Sequence, residues 1–132
     1  YLECLPEPVS LIVSDVSFIS LGLIYATGVR WLADDGNVVS LIKPQFEAGR
    51  ERVGKGGVVR DPEVHRQVLV AVAATMSKLD LGLQGLMVSP LLGPAGNVEF
   101  LGWWVLGQEE RFAKDLVDEA MLEAATLLQG VE

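Results

Sequence analysis

Cysteine and histidine are almost missing from this 132-residue chain: Cys4 and His65 are the lone examples. No intrachain disulfide can form, and a His/Cys metal centre has no ligand set to draw on, so no metal is expected. Cys4 has no partner base near it in sequence and reads as inert. A single thiol fits a reducing cytoplasm. Positive charge is scarce as well, with 10 Lys and Arg against 18 Asp and Glu and a formal net charge of −8. Over a whole surface that balance opposes nucleic-acid binding. Long apolar runs are lacking. The longest uncharged apolar-rich stretch, Val16 to Val29, contains Ser and Thr. It falls short of the roughly 20 residues needed to cross a bilayer. The chain shows no signal peptide at its start. It opens on Tyr rather than Met, as a piece trimmed from a longer chain would.

What is present is an ordinary folded composition, 50% hydrophobic and 21% charged, and one domain's worth of chain. The charge is uneven. Six of the ten basic residues, Lys43, Arg50, Arg52, Lys55, Arg60 and Arg66, fall within one stretch. Much of the acid lies in the tail from Glu109 to Glu123. A local positive face on an acidic protein therefore remains open.

Residues 9–14 are apolar and β-branched, which predicts a buried strand ended by Asp15. Ser20 caps a predicted helix to about Ala33, with Leu21, Ile24, Tyr25, Gly28 and Leu32 as its stripe. Asp34-Asp35-Gly36-Asn37 is turn chemistry. Val38 to Ile42 reads as a second buried strand, closed by Lys43-Pro44. The glycine- and charge-rich stretch 45–60 reads as a long loop. Asp61-Pro62 starts a helix, by capping side chain and N1 proline, with Val64, Val68, Val72, Thr75 and Leu79 inward. A third strand spans about 83–89 and a fourth 99–106. From Gln108 a helix runs to about Leu128, with Glu109 and Glu110 in its first turn. Phe112, Leu116, Val117, Ala120, Ala124 and Leu127 form its inner face. Trp103 and Trp104 must face opposite sides of their strand, one in the core and the other under a helix. Alternating strands and helices make this an α/β domain with a mostly parallel sheet. The last two strands, joined by a short loop, should pair antiparallel.

In an open parallel sheet, ligands bind beyond the carboxyl ends of the strands. Asp15 and Lys43 end the first two strands there, and Glu99 opens a strand running the other way. The three converge by topology. An ammonium oriented by carboxylates can stabilise a developing oxyanion or a hydroxyl losing its proton. The same arrangement also suits a structural ion pair.

The stretches SDVSFISL (14–21), KPQFEAGRERVGKGGVVRDP (43–62) and GPAGNVEFL (93–101) resemble the hemolysin-A-type, FtsJ-like family, over about residues 9–106. Its members are S-adenosylmethionine-dependent 2′-O-ribose methyltransferases acting on ribosomal RNA. The resemblance implies a Rossmann-like class I methyltransferase sheet, of which this chain is the second half, with an antiparallel last strand and a C-terminal helix. It implies a partial methyltransferase domain at 1–107 and a helical extension at 108–132. Of the family's Lys-Asp-Lys-Glu tetrad, the aspartate matches Asp15, the second lysine Lys43 and the glutamate Glu99. Lys43 would hold the target hydroxyl and help it lose its proton, with Asp15 and Glu99 orienting the groups. Nothing here matches the first lysine, the glycine-rich S-adenosylmethionine loop or the N-terminal RNA-binding domain. This stretch alone is therefore expected to be inactive and to bind the cofactor poorly or not at all.

Arg50, Arg52, Lys55 and Arg60 adjoin Lys43, and phosphate contacts to ribosomal RNA or a ribosomal subunit are expected of them. Gly49 to Lys55 also reads G-x-x-x-x-G-K, but Gly56 stands where a phosphate-binding loop needs Ser or Thr. An inert RNA-binding or interaction module is the alternative function. Hemolysin-like membrane activity fares worst, since no strongly basic amphipathic helix is present. A sheet edge left open by missing strands invites a homodimer.

Overall fold

The computed structural model describes residues 5–130, so Cys4 lies outside the described residues. Four strands form one sheet: β1 (Val9–Ser14), β2 (Leu32–Ile42), β3 (Leu81–Val88) and β4 (Phe100–Leu106). Their order across the sheet is β1-β2-β4-β3. β1 and β2 are parallel, while β4 runs antiparallel to both β2 and β3. Three strands therefore point one way and the last points back. The helices are α1 (Leu21–Gly28), α2 (Pro44–Glu47), α3 (Pro62–Lys78) and α4 (Ala113–Gln129). No described helix is long and apolar enough to cross a membrane.

One face of the sheet carries the core. Val38, Ile42, Leu83, Phe100 and Trp104 are at most 1% exposed. Leu21 and Tyr25 of α1, Val68, Val72 and Met76 of α3, and Val117 and Ala120 of α4 join them in one cluster. α3 starts where capping chemistry places it: Asp61 Oδ1 accepts the Glu63 N–H at 2.9 Å, and Pro62 takes the first turn. His65, Leu69 and Ala73 are buried beside the expected stripe, but Thr75 is exposed.

The opposite face is open. Cross-strand partners share a face, and the sets Leu11/Asn37/Val105, Val13/Val39/Trp103 and Leu41/Leu101/Met87 line it. Leu11, Val13, Met87 and Trp103 are between 42% and 69% exposed. β1 is thus the outer strand with one bare face rather than a buried strand. Trp104 is core as expected. Trp103 is not covered by a helix, and its indole N–H donates to Asn37 Oδ1 at 2.8 Å.

β2 begins six residues earlier than its apolar run. α1 stops at Gly28, and a single 3₁₀ turn over Val29–Trp31 hands the chain to Leu32, which pairs with Val9. Between Val9/Leu32 and Leu11/Asn37, two residues of β1 span five of β2. The expected turn at 34–37 is therefore a bulge inside the strand. Asp35 sits there at φ 58°, a left-handed conformation that Asp tolerates better than most residues. Pro44 starts a helical turn instead of a loop, and 3₁₀ turns at Arg50–Arg52 and Lys55–Gly57 order the rest of that stretch. α4 starts at Ala113, so Asp115 and not Glu109 or Glu110 occupies its first turn. Phe112, at φ 49°, is 72% exposed and lies off the buried face.

Candidate active site at the strand ends

Register brings the predicted residues to one edge. Ser14 pairs with Ser40, and Ile42 with Phe100. The next residue along each run is therefore Asp15, Lys43 or Glu99. Beneath Asp15, Ser14 Oγ donates to Ser40 Oγ at 2.6 Å and lies 2.7 Å from the Tyr25 hydroxyl. Burial pushes the Tyr25 phenol upward, and the Ser14 bond opposes this.

Lys43 caps α2, and its Nζ lies 2.5 Å from Asp15 Oδ1 and 3.3 Å from Ser17 Oγ. The lysine side chain is 12% exposed and the aspartate 64%, so the ammonium is sheltered and its carboxylate faces out. Glu99 is 6% exposed. It makes no ion pair with Lys43 and instead accepts from Gln45 Nε2 at 2.8 Å. Its backbone carbonyl accepts the Ser89 N–H at 2.8 Å. A Cβ at Gly93 would lie 2.2 Å from Glu99 Oε2, so a side chain there would displace that carboxylate.

Two loops border the site, and Asn97 fastens them. Its Oδ1 accepts the Val59 N–H at 3.0 Å, and its Nδ2 donates to Gly57 O at 2.9 Å and Pro94 O at 3.1 Å. Buried His65 lies with Nε2 2.8 Å from Val59 O, and burial lowers its pKa against the Val59 and Asp61 contributions. On the other side, Glu47 Oε1 accepts the Leu21 N–H at 2.8 Å, and burial raises its carboxyl against that bond.

The four basic candidates are all exposed but differ in freedom. Arg52 turns back, donating from Nε to Ala48 O at 2.9 Å and from Nη1 to Gln67. Arg60 donates to Lys55 O at 3.2 Å. Arg50 borders a cavity of about 350 Å³ with Gln45, Phe46, Gly49 and Val53. Lys55 makes no side-chain hydrogen bond or ion pair among the described residues, and Gly56 and Gly57 follow it at positive φ. Among the described residues no group of acids, His and Cys could hold a metal.

Sequence reasoning missed Gln45, Asn97 and Phe18. Phe18 is 89% exposed at φ 67°, with its ring 4.9 Å from that of Phe46. An aromatic residue three positions after Asp15, at a strand end, was the available signal. Gln45 and Asn97 carry no such mark, because their partners lie 54 and about 40 residues away.

A family model described as FtsJ-like methyltransferase matches residues 2–105. A Mycobacterium tuberculosis protein named 16S/23S rRNA (cytidine-2′-O)-methyltransferase TlyA is 43% identical over 101 residues, covering 76% of this chain and 38% of the relative. Hemolysin A of Brachyspira hyodysenteriae is 38% identical over 99 residues, 74% of this chain and 40% of that one. A solved Streptococcus thermophilus structure, described as a candidate hemolysin, superposes with a TM-score of 0.88 at 36% identity. It covers 94% of this chain and 45% of its own. The chain thus spans less than half the length of these relatives.

Proposed function

Because this chain belongs to the FtsJ-like methyltransferase family, we propose that a protein of its relatives' length containing it moves a methyl group from S-adenosylmethionine to a ribose 2′-hydroxyl of ribosomal RNA. The observation that carries this reading is the sheltered Lys43 ammonium, 2.5 Å from Asp15 at the strand edge where Glu99 immediately precedes β4. Asp15 orients Lys43. Lys43 holds the hydroxyl and stabilises its oxygen as the proton leaves, and Glu99 aligns that hydroxyl. Most of the rate would come from positioning and electrostatics.

The described residues do not fit the cofactor by themselves. The glycine-rich loop that the family resemblance implies has no counterpart among the described residues, and no residue here is assigned to S-adenosylmethionine. Arg50, Lys55 and Arg60 would meet phosphates. Arg52, with two internal partners, would contribute through loop shape as well as charge. The outward ring of Phe18 offers a stacking face for an unpaired base. Residues 1–107 would be the partial methyltransferase domain and 108–132 its helical extension, whose Val117, Ala120 and Ala124 pack into the common core. The site of action would be the cytoplasm, on ribosomal subunits.

The test is transfer of labelled methyl to ribosomal subunits by a protein of the relatives' length. Lys43→Ala should cost at least about 100-fold in rate. Undiminished transfer by that variant would sink the mechanism. The bare face and open β1 edge favour a second reading, a non-catalytic interaction module that pairs with a second copy. Sedimentation showing a monomer would remove the pairing, and methyl transfer by the wild type would remove the second reading.

A further inference from the structure

α2 is one helical turn, yet it is fastened at three alternate positions. Lys43 at its cap pairs with Asp15, Gln45 donates to Glu99, and Glu47 accepts the first N–H of α1. The first and last of these contacts close on atoms with ordinary partners. Gln45 differs: its Nε2 reaches Glu99 Oε2 at 2.8 Å, while its Oε1 is buried with no donor among the described residues.

A buried acceptor without a donor is a cost that folded chains rarely carry. Turning the amide over would not relieve it. Oε1 would then face the Glu99 carboxylate, acceptor against acceptor. The orientation seen sets the amide N–H against the Glu99 oxygen. Gly93 closes the other side, where a Cβ would stand 2.2 Å from Oε2. Oε2 is therefore committed to the protein, whereas the second oxygen of Glu99 has no protein hydrogen bond among the described residues.

We propose that Gln45 is a positioning residue that aims Glu99, occupying one carboxylate oxygen so that the other alone meets the ribose hydroxyl. The inference rests on the methyl-transfer reading and adds a residue to it. Gln45 touches no substrate and acts through Glu99.

The experiment compares wild type, Lys43→Ala, Gln45→Leu and Gln45→Glu in a protein of the relatives' length, with rate and KM for ribosomal subunits measured from roughly pH 5 to 9. Gln45→Leu should lower kcat about 10- to 100-fold, as loss of an orienting partner does elsewhere, with KM held within about 2-fold. The acid limb of the kcat profile should move upward, because a carboxylate that loses a hydrogen-bond donor is easier to protonate. The isosteric Gln45→Glu should move the limb further, since two facing carboxylates share a proton. A role in packing alone would lower melting temperature and leave the limb in place, and would overturn the inference. So would an unmoved limb with kcat within about 2-fold of wild type in both variants, given an active wild type and an inactive Lys43→Ala. An inactive wild type would instead remove the methyl-transfer reading and this inference with it.

Discussion

The two faces of the sheet are built from the same strands and have opposite fates. On one face, Val38, Phe100 and Trp104 are completely buried under three helices. On the other, Val13, Trp103 and Met87 stand in the open. Neighbouring residues, Trp103 and Trp104, belong to different environments because a strand alternates sides at every step. Sheets with parallel strands are ordinarily covered on both faces. The difference shows that apolar composition alone did not decide burial here. The helices present in the chain did.

The sharpest way to test that contrast is to remove each tryptophan. Trp104→Ala should cost about 3–5 kcal/mol, read by denaturant unfolding of the chain. Trp103→Ala should cost far less, and equal losses would erase the distinction between the faces. Next in size is Asn97→Ala, which leaves the Val59 N–H and the Gly57 and Pro94 carbonyls without that partner. A loss of about 2 kcal/mol is expected for such buried groups. Hydrogen exchange should rise at Val59 first. Exchange rising equally at Val39, on the open side, would deny that Asn97 acts locally.

A smaller effect concerns pH. Tyr25, Glu47 and His65, whose ionisation burial shifts, all lie on the helix side. His65 is lowered from 6.5, so the unfolded chain takes up its proton first and stability falls as pH drops below that value. Glu47 is raised from 4.5, so the folded chain keeps its proton longer and stability falls as pH rises above that value. Between these limits the two trends oppose. Glu47→Gln should leave only the loss on acidification, and His65→Gln only the loss on alkalinisation. Melting curves that slope the same way in both variants would contradict the assignment. The smallest change is expected at Val13→Ser, within about 0.5 kcal/mol. A larger loss would mean that the open face is covered in solution.

Much of this fold can be read before any coordinates. Residues 9–14 and the Asp61-Pro62 helix start stand where pattern and capping place them. Local chemistry is strong at those points. Asp34-Asp35-Gly36 has every feature of a turn, so the sequence pattern starts β2 only at Val38, and only pairing of Leu32 with Val9 turns that stretch into a bulge. Pro44 marks the end of a strand and the start of a helix equally well. At the site, Asp15 and Lys43 were legible because strand ends are local features. That Glu99 answers to Gln45 was not, since nothing in either residue's neighbourhood announces a partner 54 positions away.

The strand order has a kinetic consequence. β4 is the last strand made, yet it lies between β2 and β3 and supplies the neighbour of each. Until residue 106 is available, β1-β2 and β3 are separate pieces with unpaired edges. Assembly must wait for a late, long-range insertion, and such steps fold slowly and expose sticky edges. A chain interrupted before β4 should aggregate rather than persist as a smaller sheet.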